Sequence, residues 1–164
     1  MPQLIVTAAA LVLALAIIGI AFVFGWRAKS PLVLSPIIWF SKRVVNPRQL
    51  RSAGTPGAYA AILRNRGRVS GREYETPVGV VSSSDGFLIA LPYGSRAQWL
   101  QNVLASGSAT LVNEGHTYEV GQPELISTES VMDQFPASDQ RSFRLLGVDT
   151  CLRFRTVAAL EPAA

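Results

Sequence analysis

From Leu4 to Trp26 the chain reads LIVTAAALVLALAIIGIAFVFGW, a run of about 23 residues whose only polar side chain is Thr7, and no charge precedes Arg27. As a helix at about 1.5 Å per residue the run reaches about 34 Å, enough to cross a hydrocarbon core of about 30 Å. The rest of the chain is therefore expected to be a small domain held at a lipid bilayer by a single-pass anchor. A cleaved secretory signal is the rival and fits worse. No Lys or Arg precedes the run, the run is long for the apolar part of such a signal, and the triplet Ala8-Ala9-Ala10 lies inside it rather than after it. Arg27, Lys29, Lys42 and Arg43 all come after it. By the positive-inside rule the N-terminus then faces out and the domain faces the cytoplasm from the cell membrane.

A second apolar run, Pro31 to Phe40, is too short to span and is interrupted by Pro36. Trp39 followed by Lys42 and Arg43 reads as a segment lying at the membrane interface; an apolar strap packed on the domain is the alternative. Residues 46–57 read as a loop by their Pro and Gly content. The expected organisation is an anchor over 1–27, an interfacial segment and linker over 28–57, and one folded domain over 58–164.

That domain reads as short strands. Tyr59 to Arg68 alternates, and Tyr74, Thr76, Val78 and Val80 recur with period two. The turn Ser82–Gly86 leads into an apolar strand, Phe87 to Leu91, which predicts a hairpin around Asp85-Gly86. Ser95 as N-cap with Gln98 three residues on predicts a helix carrying the stripe Trp99, Leu100, Val103, Leu104 and ending at Gly107. Ser108–Val112 and Thr117–Val120 predict a second hairpin around Asn113-Glu114-Gly115. Glu129 to Gly147 reads as helical with a break at Pro136, and Leu152, Phe154 and Val157 as a closing strand. The class expected is α+β: a mainly antiparallel small barrel with helical additions.

The chemistry on offer is narrow. One Cys and one His among 164 residues make a zinc site improbable, rule out an intramolecular disulfide and suit a reducing compartment. His116 comes just after a hairpin turn and is expected to be exposed and inert. No Walker loop, nucleophile elbow or spaced Ser-His-Asp set appears, so no catalytic residue and no metal ligand is assigned. Arg outnumbers Lys 13 to 2. Arg64, Arg66 and Arg68 fall at every second position, which places them on one face of a strand, and Arg72 comes after a Ser-Gly turn. Such a row repels itself unless an anion lies over it. It reads as a site for an elongated polyanion, with a solvated edge strand as the alternative. No RNP-like aromatic pattern accompanies it, which argues against nucleic acid. A domain without acid–base machinery suits a redox cofactor that carries the reaction itself.

Four segments, Gly67-Arg68-Val69-Ser70-Gly71-Arg72, Thr76-Pro77-Val78, Asp85-Gly86-Phe87 and Trp99 to Ala105, resemble in order and spacing the deazaflavin-dependent nitroreductase and quinone reductase family of actinobacteria. Leu91-Pro92-Tyr93-Gly94-Ser95 resembles a subgroup of it. The resemblance covers about Tyr59 to Ile126. It implies a split β-barrel related to flavin-mononucleotide-binding oxidoreductases; related barrels are often dimers, which leaves both a monomer and a homodimer open. It also implies coenzyme F-420, a deazaflavin with a phosphodiester and an oligoglutamate tail. Carried over by position, Arg68, Ser70, Gly71 and Arg72 would hold phosphate and tail; Arg64 and Arg66 join them through the charge row read from the strand. The backbone of Leu91 to Ser95 (through Pro92, Tyr93 and Gly94), with Gln98, Trp99 and Asn102, would lie near the ring.

The chain departs from the family at Val69, where Lys or Arg is common, and in having no Tyr after Tyr118. Cofactor binding therefore transfers better than activity. The expectation is an oxidoreductase passing hydride from reduced F-420 to a small lipophilic acceptor, such as a quinone or a nitro compound. A non-enzymatic carrier at the membrane and an FMN or haem protein of the same barrel class are the alternatives.

Overall fold

The uncharged run forms one helix, α1 (Pro2–Arg27). The computed structural model describes residues 2–160, so the expected domain range 58–164 ends outside the described residues. Within Ile5–Arg27, the stretch long and apolar enough to cross a membrane, Leu11, Val12 and Ile18 are each more than half exposed. A helix in the core of a soluble domain would bury such side chains. The last turn of α1 docks on the domain, where Trp26 is buried.

The second apolar run is also helical, α2 (Pro31–Phe40), with Pro36 inside it. It continues through a π-helical turn, Ser41–Val45, into a short α3 (Asn46–Gln49). Residues 46–49 are thus helical, not loop: Pro47 stands in the first turn, where its missing N–H costs no hydrogen bond. The turns expected there begin at Leu50, with Gly54 and Gly57 at positive φ.

Seven strands follow among the described residues: β1 (Ala61–Arg66), β2 (Glu73–Val78), β3 (Val81–Ser82), β4 (Gly86–Ala90), β5 (Ser108–Asn113), β6 (His116–Ser127) and β7 (Thr150–Leu160). They form one antiparallel sheet in the order β2-β1-β5-β6-β7-β4-β3. Register shifts in β6 between Glu119 and Val120 and between Gly121 and Glu124 bend it. This is the split β-barrel arrangement, with α4 (Gln98–Ser106), a 3₁₀ segment (Thr128–Gln134) and α5 (Ala137–Leu146) as its helical additions.

Two elements differ from their sequence reading. The strand beginning at Tyr74 does not pair across Asp85-Gly86. β2 pairs with β1 instead, and only the two-residue β3 returns along β4. Pro77 explains the placement, since a residue without an N–H is tolerated on an edge strand, and β2 is one. The second difference is the capping box. α4 begins at Gln98 behind Ala97, no side chain caps it, and the Ser95 carbonyl accepts from Gln101 Nε2 at 2.9 Å. Its end agrees with the sequence, at Gly107 with φ 74°.

The core has two parts. Leu63, Leu111, Leu152 and Phe154 pack with Leu100 and Val103 of α4. Leu88, Val131, Phe135 and Cys151 form the second, with Phe143 of α5 against it. β4 contributes to both, Phe87 and Ile89 to one and Leu88 to the other, which is why GFLIA reads as a continuous apolar run rather than an alternation.

Candidate functional site

A cavity of about 530 Å³ opens where the two core parts meet. Its walls come from Pro77–Val81 between β2 and β3, from Ile89–Leu91 at the end of β4, and from Ala97 and Trp99 at the start of α4. A further wall comes from Phe135, Pro136 and the α5 face Asp139, Ser142, Phe143 and Leu146. The loop Pro92-Tyr93-Gly94 and the exposed Tyr59 complete it. The volume lies in the range of about 300–1,000 Å³ typical of small-molecule sites, and the lining is mostly apolar with few polar groups, as such sites are.

On the other side of the first turn of α4 lies a polar cluster. Asn102 is buried, and its Oδ1 accepts from the Arg68 guanidinium at 2.9 Å and from the Arg68 backbone N–H at 3.2 Å. Gln98 Oε1 accepts from the same guanidinium at 3.2 Å. No side chain caps α4 among the described residues, and the backbone N–H groups of its first turn carry the positive end of the helix dipole. The preceding turn is tight. Gly71 has φ 65°, Gly67 N–H donates to Arg72 O at 2.7 Å, and Ser70 Oγ lies 3.1 Å from the Tyr74 hydroxyl. The Arg72 and Arg96 guanidinium groups make no hydrogen bond or ion pair among the described residues.

The arginine row is not a uniform strip. Arg64 and Arg66 are exposed on β1, but Arg68 stands past the strand's end, in the turn. Arg64 is paired with Glu75 at 2.8 Å across β1 and β2, and Arg66 Nε donates to Gly71 O at 3.0 Å. The anion that relieves Arg64 belongs to the chain itself. Glu73 and Glu75 share the period-two pattern of β2, so the sequence carried that signal. The expected site residues thus divide: Pro92, Tyr93, Gly94 and Trp99 line the cavity, Arg68, Gln98 and Asn102 form one cluster, Ser70, Gly71 and Arg72 form the turn beside it, and Ser95 joins neither.

Sequence reasoning missed the α5 wall, although Asp139, Ser142, Phe143 and Leu146 fall at helical spacing. It also missed the part played by the end of α1. Trp26 lies against Tyr93, the ring centroids 5.7 Å apart and the planes tilted by 45°. Lys29 Nζ donates to Pro92 O at 3.2 Å and to Gly147 O at 3.1 Å, and Arg27 donates to the carbonyls of Arg144 and Leu145. Burial lowers the Lys29 pKa; the charge of Asp149 opposes that shift and nearby Arg27 adds to it. His116 is exposed and lies outside the cavity. Among the described residues no group of three or more His, Cys, Asp or Glu side chains could hold a metal ion.

A solved structure superposes on the chain with TM-score 0.51 at 15% identity, covering 69% of this chain and 80% of its own. This chain shares that fold. Two weaker likenesses are an F-420 reductase (TM-score 0.43, 12% identity, 67% of this chain and 94% of that one) and an FMN-binding protein from Syntrophomonas wolfei (TM-score 0.44, 14% identity, 80% and 97%). No protein-family model matches the chain, and no curated protein does.

Proposed function

We propose that this chain is a membrane-anchored oxidoreductase that binds reduced coenzyme F-420 and delivers its hydride to a lipophilic acceptor such as a quinone or nitro compound. The observation that carries this reading is the double use of the first turn of α4. Ala97 and Trp99 wall an apolar cavity, while Gln98 and its neighbour Asn102 hold Arg68 on the other side. A flat apolar ring joined to an anionic tail fits that division.

The bound deazaflavin would supply the hydride. The chain's own residues bind, orient and exclude water. Trp99, Tyr93 and Phe143 offer a dry wall. Arg68 is held in place by two side-chain amides, so little of its freedom is left to lose when an anion arrives. Arg72 supplies a second unpaired cation, and Ser70 and Gly71 shape the turn that presents it. Arg64 and Arg66 are engaged elsewhere and contribute field rather than contact. The anchor supports a lipophilic acceptor, because Tyr93 at the cavity and Trp26 at the end of α1 are in contact.

The test is a titration of the purified full chain with F-420 and, separately, with FMN, then stopped-flow oxidation of bound reduced F-420 by a menaquinone analogue. F-420 is expected to bind more tightly than FMN, and its oxidation to be faster than without protein. If neither cofactor binds, the reading fails. If F-420 binds tightly but its oxidation is not accelerated, the carrier reading replaces the enzyme.

A further inference from the structure

Helix α2 is turned the wrong way round for water. Its exposed positions are Pro31, Leu32, Ser35, Pro36, Trp39 and Phe40, a stripe at helical spacing, while Val33, Leu34, Ile37 and Ile38 face the protein. A surface helix ordinarily shows water its polar side. Here the outward side is apolar: Leu32 is 90% exposed, Trp39 61% and Phe40 52%. The stripe begins four residues after Arg27, and α2 packs directly on the end of α1, where a Cβ on Gly25 would meet Val33. Charge completes the pattern. The first acidic residue of the chain is Glu73, whereas Arg27, Lys29, Lys42, Arg43, Arg48 and Arg51 all precede it. Arg43 sits 6.0 Å from the Trp39 ring, continuing the same stripe.

We infer that α2 and the basic turn after it lie in the headgroup region of an anionic leaflet, the stripe Leu32, Pro36, Trp39 and Phe40 buried in lipid and Lys42, Arg43, Arg48 and Arg51 on the phosphates. An exposed aromatic beside basic residues is the arrangement that interfacial helices use. Anionic surfaces attract such cations within about a Debye length of the headgroups. This second contact would fix the rotation of the domain about α1 and so the direction the cavity faces. The inference rests on the reading that α1 spans the bilayer.

The experiment uses the full chain in vesicles of equal parts phosphatidylglycerol and phosphatidylcholine. Spin labels are placed singly by Leu32→Cys, Phe40→Cys, Ile18→Cys within α1, and Val157→Cys on the exposed end of β7. Buried Cys151 stays unlabelled. Labels at 32 and 40 are expected to show an oxygen-to-nickel-chelate accessibility ratio several-fold above that at 157, and the excess should shrink in the variant R43E/R48E/R51E. A lipid-like label at 18 with aqueous labels at 32 and 40 overturns the docking while leaving the span intact. Labels at 32 and 40 shielded from both reagents also overturn it, since a protein surface would then cover the stripe. An aqueous label at 18 overturns the span, and the docking with it.

Discussion

Arg68 is the one arginine of its row whose guanidinium is positioned by side-chain amides, the buried Asn102 and the exposed Gln98, rather than by a carboxylate or a backbone carbonyl. It keeps its full charge for a ligand. Arg68→Ala is therefore expected to weaken F-420 binding by about 1–3 kcal/mol, roughly 5- to 150-fold, with affinity falling as salt rises. Arg64→Ala should change affinity little, because it breaks an exposed ion pair of the kind worth about 0–1 kcal/mol to the fold. Titrations of both variants with tailed and tailless cofactor check this; equal losses for the two variants would remove Arg68 from the site. Cys151 makes a different prediction. Burial pushes its thiol from 9.0 up to about 11. The unfolded chain loses that proton at lower pH than the folded one, so the stabilisation is complete below about pH 9 and lost as pH rises toward 11, on the order of 2–3 kcal/mol in all. Chemical denaturation across that window should show the decline, and Cys151→Ala should flatten it. Thiol reagents at pH 8 should label the native chain only as fast as it opens.

Among the elements, β4 shows how a familiar dipeptide can mislead. Asp85-Gly86 reads as a turn that needs the freedom of glycine. The turn is there, with Ser83 N–H donating to Gly86 O at 2.9 Å, but Gly86 is the first residue of β4. Its requirement is space: a Cβ at that position would stand 2.0 Å from Phe154 O and 2.9 Å from Arg155 Cα, both on the β7 backbone. Gly86→Ala should thus part β4 from β7 at a cost of about 1–3 kcal/mol or more, read as a lower denaturation midpoint. Gly79→Ala, where nothing lies within 4 Å, is the neutral control. The same distinction decides what the sequence made legible. β5, β6 and the α4 stripe were visible because their signals are local: period two, Asn113-Glu114-Gly115, and Gly107 as a stop. The pairing of β2 with β1 was not, since an edge position depends on which strand arrives from far along the chain. The family resemblance singled out Pro92-Tyr93-Gly94 and Trp99, and these residues do line the cavity. The α5 wall was not, because an amphipathic face does not say which surface it will meet.

At the scale of the molecule, the end of α1 is part of the cavity's scaffold. Arg27 binds the last carbonyls of α5, Lys29 binds Pro92 and Gly147, and Trp26 lies against Tyr93, so two walls of the cavity hang on residues at the end of α1. On the proposed reading, the full chain resists carbonate extraction and a reporter fused after Ala164 stays cytoplasmic; a mature N-terminus beyond Ala28 would mark a cleaved signal instead. The clamp makes a sharper prediction. R27A/K29A leaves carbonyls of α5 and of the Pro92 loop unpaired and loosens the cavity on its anchor side, away from Arg68. Affinity for F-420 should stay within about twofold, a difference of about 0.4 kcal/mol. Reduction of a long-chain menaquinone in liposomes should fall well below wild type in kcat/KM, while a short, water-soluble quinone, free to approach from the aqueous side, should lose much less. A membrane-borne acceptor must reach the ring past the anchor, so the ratio of the two rates reports that route. Equal losses for both quinones would mean that the clamp serves stability alone and that the acceptor does not come from the bilayer.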